Sequence, residues 1–353
     1  MKEVEDLAGP PWQRPLTGRL EQLVVESDLL ADNPLGDSSR RPLYVYLPPG
    51  YGESSRRYPV IYVIQGFTGQ LDMWLGRSAF EPNMIERVDD LFSGVGTRRA
   101  IVVFVDAWTS YGGSQFINSS STGRYMDYLC DEIVPFVDDR YSTAADRDRR
   151  ALTGKSSGGY GAMVVPMLRP DVFGAFASHA GDALFEVCYL PEFRTVVRGL
   201  RDYFEGSYDI FFERFRANVA EGARFDYERY GQALEIYAYA ACYSPDESQP
   251  GKALLPFETD TGRIVPSVWT RWLDWDPVRM APKHADALKS MRVVYLDAGN
   301  RDEPHLDLAA QAFSDELTKA GVEHTFEFFD GGHGGITYRY PKALKLLAEK
   351  LAS

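Results

Sequence analysis

The residues best suited to chemistry lie between positions 153 and 161, where the chain reads T-G-K-S-S-G-G-Y-G. Within this stretch Gly154, Ser156 and Gly158 fit the pattern G-x-S-x-G, in which a serine sits on a sharp turn between a strand and a helix. Such a turn projects the serine Oγ above the sheet, and the glycines leave room for the tight backbone path. The free N–H groups of the following helix point at the same place. Ser156 is therefore the predicted nucleophile.

Two alternatives compete with a nucleophile at this position. A glycine-rich turn between a strand and a helix would match the pattern without any chemistry, because short glycine-containing patterns also match by chance. The G-K-S at 154–156 resembles the end of a phosphate-binding loop, but that loop needs a glycine at position 149, where the chain has Arg149. Two further glycines on the helix side, Gly159 and Gly161, favour the nucleophile turn.

A serine nucleophile needs a general base. Of the 5 histidines in the chain, His333 is the best placed, since it follows the last predicted strand within the sequence D-G-G-H-G-G. Glycines on both sides let that loop carry the imidazole over the sheet to the serine. A solvent-exposed loop histidine is the alternative. His284 and His324 suit surface or packing positions, and His305 lies near the same edge of the sheet.

The acid that orients this histidine is expected after the preceding predicted strand. Asp302 is preferred, because it lies on the loop beyond the strand end, where a carboxylate can reach the histidine Nδ1. Asp297, which is still in strand register, and Glu303 compete with it, and Asp182 after an earlier strand is a further alternative. The chain order serine, acid, histidine is that of the α/β-hydrolases.

The transition state of acyl transfer also needs backbone donors for its oxyanion. One N–H is expected from Ser157, the residue after the nucleophile, and the other from Phe67, on the loop after the strand that ends at Ile64. Four further residues are expected at the substrate pocket: Gly66, Tyr111, Asn118 and His179. For Tyr111 and Asn118, a position on a solvated loop is an equal alternative.

The elements that must position these residues alternate between strands and helices. The predicted strands lie at residues 20–27, 42–47, 58–64, 100–106, 151–152, 173–178, 292–297 and 325–329. Outside residues 183–275, the predicted helices lie at residues 80–92, 123–141, 162–168, 306–320 and 341–351. We expect Pro135 to bend the second of these helices. This alternation predicts an α/β fold with a mostly parallel sheet, helices on both faces, and ligands bound beyond the carboxyl ends of the strands.

Residues 183–275 interrupt this alternation with a segment far longer than an ordinary connection. The segment is rich in aromatic residues and has helical spacing at residues 193–204, 210–219 and 227–243. Its aromatic side chains have two competing roles, the core of a small helical subdomain or the lining of a substrate pocket beneath a cap. We therefore predict a single domain over residues 1–353 with a cap inserted at 183–275. An aromatic face exposed on the cap would form a contact between two copies of the chain and make the protein a homo-oligomer.

Composition narrows the classes of partner. The formal net charge of −13 disfavours nucleic acids and anionic membrane surfaces, which both need a basic footprint. Residues 1–11 are acidic and lack the apolar core of a signal peptide, and no stretch approaches the length of a membrane span. Three widely spaced cysteines favour packed free thiols over disulfides or a metal site. We expect a cytoplasmic protein.

Six stretches together resemble the esterase D and enterochelin-esterase-like family of α/β-hydrolases, which includes feruloyl esterases and the antigen 85 mycolyltransferases. They are Y-P-V-I-Y-V-I-Q-G-F-T-G, S-Q-F-I-N-S-S-S-T-G-R-Y, R-R-A-L-T-G-K-S-S-G-G-Y-G-A-M, R-P-D-V-F-G-A-F, L-D-A-G-N-R-D-E and F-F-D-G-G-H. The resemblance covers most of the chain outside residues 183–275. The family often has His-Gly where this chain has Gln65-Gly66, and Met where it has Ser157, but neither difference removes a backbone donor.

The resemblance implies an α/β-hydrolase fold and hydrolysis of a small-molecule carboxylic ester by Ser156, Asp302 and His333, with no cofactor and no metal. Two alternatives remain open. An acyltransferase would use the same three residues with an alcohol in place of water, and a catalytically silent relative would act as a binding module. The acyl and alcohol parts of the substrate are left open, although the aromatic insertion suggests a bulky or aromatic group.

Overall fold

A mostly parallel sheet of eight strands lies at the centre of the structure, a computed structural model that describes residues 14–352. In chain order the strands are β1 (Arg19–Glu26), β2 (Arg40–Leu47), β3 (Val60–Ile64), β4 (Ile101–Val105), β5 (Asn118–Ser119), β6 (Gly123–Arg124), β7 (Arg150–Ser156), β8 (Ala175–Gly181), β9 (Val293–Gly299) and β10 (Thr325–Phe329). β5 and β6 pair with each other in a separate two-stranded sheet, and the other strands form the large sheet. Their order in the large sheet is β1-β2-β4-β3-β7-β8-β9-β10. β2 pairs antiparallel with β1 and β4, and the other neighbours are parallel. The predicted fold class is confirmed.

Helices connect the parallel strands. They are α1 (Met84–Ser93), α2 (Tyr125–Asp127), α3 (Val134–Arg140), α4 (Ser157–Leu168), α5 (Phe185–Cys188), α6 (Phe193–Phe204), α7 (Tyr208–Ala220), α8 (Gln232–Tyr243), α9 (Pro266–Leu273), α10 (Pro277–Met280), α11 (Ala285–Lys289), α12 (Leu306–Ala320) and α13 (Tyr340–Leu351). Single 3₁₀ turns lie at Leu71–Trp74, Arg147–Arg149, Leu190–Glu192 and Ile336–Arg339, and π-helical turns at Tyr128–Ile133 and Tyr227–Gly231.

Both faces of the sheet are covered, which explains why β3 and β4 are apolar and buried at every position. On one face α1 and α13 pack apolar side chains against Ile61 and Val63 of β3. On the other face the π-helical turn at Tyr128–Ile133 and α3 pack against Tyr62 and Ile64. Successive side chains of β3 point to opposite faces of the sheet and therefore pack into two separate cores.

The carboxyl ends of β3, β7, β8, β9 and β10 meet at one edge of the sheet. The register pairs Ile64 with Gly154 across β3 and β7, and Phe329 with Gly299 across β9 and β10. Parallel strands in register end together, so the loops that follow them are neighbours in space. This edge is where the chemically suited residues of the sequence lie.

The predicted helix at residues 123–141 is divided into α2, a π-helical turn and α3. Pro135 is the second residue of α3. It has no N–H, so one intrahelical hydrogen bond cannot form, and its ring needs room beside the preceding turn. The wider π turn at Tyr128–Ile133 supplies that room. Pro135 therefore changes the helix type rather than only bending the axis.

The insertion between β8 and β9 is helical, as predicted. Its aromatic side chains, such as Phe204 and Trp272, belong to the same buried cluster as Phe176 of β8 and Leu296 of β9. The insertion therefore shares one apolar core with the sheet. Its division from the rest of the chain at residues 183 and 275 stays a prediction.

Three sequence expectations bear on other parts of the chain. Residues 1–13, including the acidic stretch at 1–11, lie outside the described residues, and a cytoplasmic location stays a prediction. Cys130, Cys188 and Cys242 are buried free thiols. Within residues 14–352, no helix has both the length and the apolar character that crossing a bilayer requires.

Candidate active site

Ser156 occupies a strained turn between β7 and α4. Its backbone angles are φ 60° and ψ −128°, a conformation that non-glycine residues rarely adopt. The turn needs both flanking glycines, because a Cβ on Gly154 would lie 2.5 Å from the carbonyl oxygen of Gly158, and a Cβ on Gly158 would lie 2.5 Å from that of Ile64. The strain persists because the packed strand and helix on each side hold the turn in place.

His333 reaches this serine from the loop after β10. Its Nε2 lies 3.1 Å from Ser156 Oγ, and its Nδ1 lies 2.8 Å from Asp302 Oδ2. The loop itself is fixed by Glu303, whose Oε2 accepts a hydrogen bond from the His333 backbone N–H at 2.7 Å. This bond is the main reason that the pKa of the Glu303 carboxyl lies below its ordinary value. Asp302 thus pairs with the imidazole of His333, whereas Glu303 binds the backbone of the same residue.

Asp302 is held in position by its own loop after β9. Its other oxygen, Oδ1, accepts the backbone N–H of Leu306 at 3.0 Å, at the start of α12. Its backbone N–H donates to the carbonyl of Gly299 at 3.2 Å. The side chain is buried, with 4% of the residue exposed. A buried carboxylate with both oxygens engaged can keep the proton of the histidine on Nδ1, so that Nε2 is free to accept one from Ser156.

The expected oxyanion donors lie on both sides of Ser156. Ser157 is the first residue of α4, so its N–H has no acceptor within the helix. The Gly66–Phe67 loop passes next to the serine, because a Cβ on Gly66 would lie 3.2 Å from Ser156 Cβ. The loop is pinned by hydrogen bonds from the N–H of Thr68 to Gly112 O at 2.8 Å and of Gly69 to Gly66 O at 3.0 Å.

A cavity of about 590 Å³ opens above this group. Its walls come from the loops after β3, β7, β9 and β10 and from the insertion. The residues that line it include Gly66, Phe67, Lys155, Ser156, Asp182, Tyr189, Glu192, Tyr227, Glu235, Tyr239, Glu303 and His333. The aromatic side chains of the insertion therefore lie both in the apolar core and in the cavity wall, and their role in binding a substrate stays a prediction.

A buried hydrogen-bond network joins the insertion to the nucleophile turn. Asp182 accepts from Ser157 Oγ at 3.2 Å, from Tyr189 at 2.8 Å and from the Gln115 amide at 3.2 Å. Burial raises the pKa of the Asp182 carboxyl, against the effect of these donors. The side-chain partners of Asp182 thus belong to this network, whereas His333 is paired with Asp302, so the alternative acid does not orient the base.

The network continues into α8. Tyr239 donates to Glu235 Oε1 at 2.7 Å, and its hydroxyl oxygen lies 3.3 Å from Ser157 Oγ. Burial raises the pKa of the Glu235 carboxyl to about 7. Lys155 shows the opposite effect, since burial lowers the pKa of its ammonium group although Asp302 and two other carboxylates favour the charged form.

Asp297 is placed away from the serine. Its Oδ1 lies 2.6 Å from His179 Nδ1, and its Oδ2 accepts from Arg339 Nε at 2.9 Å and from Tyr295 at 3.0 Å. Both Asp297 and His179 are fully buried at the end of the sheet. The strand register noted in the sequence thus directs this acid into the core, where it pairs with a histidine other than the base.

Three residues expected at the substrate pocket lie outside the cavity, and this expectation is corrected. His179 is buried against Asp297 and the ring of Tyr340, whose centroid is 4.5 Å away. Tyr111 is buried, and its hydroxyl donates to Gly251 O at 2.7 Å. Asn118 Oδ1 accepts two backbone N–H groups at the start of α2. Packing and helix capping account for all three positions.

Sequence reasoning missed Lys155 and Glu235 as cavity residues. Lys155 lies inside the nucleophile pattern, so its position next to Ser156 was a usable signal. Glu235 gave a weaker signal, as an acidic residue within the apolar run A-L-E-I-Y-A at residues 233–238. Tyr239 lies one helical turn after Glu235, which places both side chains on one face of α8.

Part of this chain is similar in sequence to curated proteins. A bifunctional endo-1,4-β-xylanase/feruloyl esterase of Xylanibacter ruminicola is 29% identical over 152 residues, which are 42% of this chain and 20% of that protein. The matched segments cover 20 to 60% of the length of the curated relatives.

Solved structures of similar fold cover almost the whole chain. A ferulic acid esterase matches with a TM-score of 0.57 at 16% identity, covering 96% of this chain and 100% of that one. An S-formylglutathione hydrolase from Agrobacterium tumefaciens matches with a TM-score of 0.56 at 14% identity, covering 96% and 98%. The family model described as putative esterase matches residues 38–341. This chain belongs to the putative esterase family.

Proposed function

We propose that this protein is a serine hydrolase that cleaves carboxylic esters through an acyl-enzyme intermediate. The observation that carries the proposal is the hydrogen-bonded chain from Asp302 through His333 to Ser156, at the carboxyl edge of the sheet and beneath a cavity. Membership of the putative esterase family supports it. The insertion acts as a cap that forms one wall of the substrate site.

Each step follows from the positions of these groups. Ser156 Oγ attacks the carbonyl carbon of the ester while its proton passes to His333 Nε2, which lies 3.1 Å away. Asp302 holds the Nδ1 proton and stabilises the imidazolium that forms. The carbonyl oxygen becomes an oxyanion that the N–H groups of Phe67 and Ser157 stabilise.

The intermediate then collapses. The bond from carbon to the alcohol oxygen breaks, and His333 Nε2 gives its proton to the departing alcohol. Water then enters, loses a proton to the same Nε2 and attacks the acyl carbon. Breaking the bond to Ser156 Oγ, with return of the proton to that oxygen, releases the acid and restores the enzyme.

Hydrolysis of 4-nitrophenyl esters, from the acetate to long-chain and aryl esters, tests the proposal. The wild-type protein should release nitrophenolate, and the Ser156→Ala variant should lose at least about a thousandfold in kcat. A fluorophosphonate probe should label the wild type and not the variant. Retention of both activity and labelling by folded Ser156→Ala protein would refute the assignment of the nucleophile.

A further inference from the structure

Acidic side chains outnumber basic ones in the lining of the catalytic cavity. Among the described residues that line it, four carry carboxyl groups, namely Asp182, Glu192, Glu235 and Glu303, and one is a lysine, Lys155. Glu303 lies beside the His333 loop. The other three carboxyl groups, Asp182, Glu192 and Glu235, lie toward the insertion, and we call them the acidic wall.

Part of the hydrogen-bonding capacity of this wall is unused. All three side chains that donate to Asp182 bind the same oxygen, Oδ2, and no side chain among the described residues donates to Oδ1. Asp182 is nevertheless almost completely buried, with 3% of the residue exposed. Glu235 accepts through Oε1, and within residues 14–352 no side chain donates to its Oε2. Both residues line the cavity, so a ligand or water bound there can engage these oxygens.

Aromatic rings accompany the acidic wall. Tyr189, Tyr227 and Tyr239 line the same part of the cavity. The rings of Tyr189 and Tyr239 pack with their centroids 4.7 Å apart. Carboxylates attract a cation by charge, and aromatic faces attract it by their quadrupole, most strongly where water is excluded. Together these two kinds of group are suited to an organic ammonium ion.

On the basis of the proposed ester hydrolysis, we propose that the acidic wall binds a positively charged ammonium group of the ester substrate. A neutral polyol would also fill the unused oxygens, but it would not stabilise the ionised forms of these carboxyl groups. A cation would stabilise them, and the neighbouring tyrosine rings favour it as well. The ammonium group belongs either to the acyl part or to the alcohol part of the ester.

Burial also affects the ionisation of the wall. Burial raises the pKa of the carboxyl groups of Asp182, Glu192 and Glu235. Such a rise means that the ionised form of each group lacks full compensation in the empty cavity. A cation bound beside these groups would favour their ionised forms and lower the three pKa values.

Two pairs of esters matched in shape and different in charge separate the two sources of the ammonium group. For the acyl part, the pair is 4-nitrophenyl 4-(trimethylammonio)butyrate and 4-nitrophenyl 5,5-dimethylhexanoate. For the alcohol part, it is choline butyrate and 3,3-dimethylbutyl butyrate, with acid release followed by titration. In one of the pairs we expect kcat/KM for the cationic member to exceed that of the neutral member about tenfold or more.

The Glu235→Gln variant removes a carboxyl group that a bound cation would hold in its ionised form, and it keeps the shape of the side chain. It should lower the cationic-to-neutral ratio at least about threefold. The matched control is Glu228→Gln, on the exposed surface of the same insertion, which should leave the ratio unchanged. A ratio near one in both wild-type pairs, or a ratio that Glu235→Gln does not lower, would overturn the proposal.

Binding to the Ser156→Ala protein keeps the two proposals separate. Isothermal titration of that protein with all four esters measures affinity without turnover. Preferential binding of a cationic ester supports the acidic wall even if wild-type turnover is slow. Equal binding within each pair overturns it while leaving neutral ester hydrolysis intact. Tighter binding of glyceryl monobutyrate than of choline butyrate also overturns it, since that result would assign the unused oxygens to hydroxyl groups.

Discussion

Glu235→Gln should stabilise the fold at neutral and alkaline pH. Burial raises the pKa of the Glu235 carboxyl from 4.5 to about 7, against the hydrogen bond from Tyr239, while Asp182 and Glu192 raise it and His333 lowers it. Below about pH 4 the group is protonated in the folded and the unfolded chain, so its contribution to stability is fully present. Between about pH 4.5 and 7 only the unfolded chain releases the proton, and stability is lost. One unit of pKa difference is ~1.4 kcal/mol, so the loss reaches about 3 kcal/mol.

Urea unfolding of the wild type and the variant, followed by tryptophan fluorescence from pH 4.5 to 8.5, measures this difference. Asp182 and Glu192 are present in both proteins, so their own contributions largely cancel. Relative to the wild type, the free energy of unfolding of the variant should rise steadily up to about pH 7 and then level off about 3 kcal/mol higher. Glu228→Gln, an exposed control with the same chemical change, should show no such slope. If the difference in the free energy of unfolding does not change with pH, or if the variant is less stable than the wild type at pH 8, then Glu235 is not a buried carboxyl that retains its proton.

Two further substitutions test the roles of neighbouring residues. Asp302→Asn keeps the shape of the loop but favours the wrong imidazole tautomer, so kcat for 4-nitrophenyl acetate should fall by about 10⁴, and a loss below tenfold would point to another acid. Ser157→Ala removes the bonds from its hydroxyl to Asp182 and Tyr239 but keeps its backbone N–H. The free energy of unfolding should fall by about 1–3 kcal/mol while kcat falls less than about tenfold, and the opposite pattern would show that the hydroxyl group takes part in the reaction.

The sequence predicted those parts of the molecule that depend on local pattern. The helix at residues 306–320 and the strand at 325–329 have the predicted bounds, because period and propensity agree there and tertiary contacts do not oppose them. The sequence singled out Ser156, Asp302 and His333 because each lies at or after the carboxyl end of a parallel strand, and parallel strands bring their loops to one edge. The structure places them within hydrogen-bond distance, and their catalytic roles stay a prediction. The general chemistry of the site was thus available from element order and residue type.

The lining of the cavity was less predictable, because it depends on how the insertion packs. Tyr111 and Asn118 lie on a loop near the site in sequence, but their side chains turn to Gly251 and to the start of α2. Glu235 lies far along the chain from the nucleophile, and only the packing of α8 near the nucleophile turn brings its carboxyl into the cavity. Helical periodicity marks which face of a helix is buried but does not show whether that face meets a core or a cavity.

The proton on Glu235 also decides the arrangement of the hydroxyl groups beside the nucleophile. When Glu235 is protonated, it can donate a hydrogen bond to Tyr239. Tyr239 can then donate to Ser157 and Ser157 to Asp182, so each of these three contacts has one hydrogen-bonding proton. When Glu235 is ionised, Tyr239 donates to it instead, and the 3.3 Å contact between Tyr239 and Ser157 depends on the single hydroxyl proton of Ser157, which Asp182 also accepts. A cation bound at the acidic wall favours the ionised form. The Ser157 hydroxyl group bonds within this network, and its backbone N–H is the expected oxyanion donor. A cation at the proposed acidic wall would therefore change the hydrogen bonding of a residue that is proposed to serve the reaction.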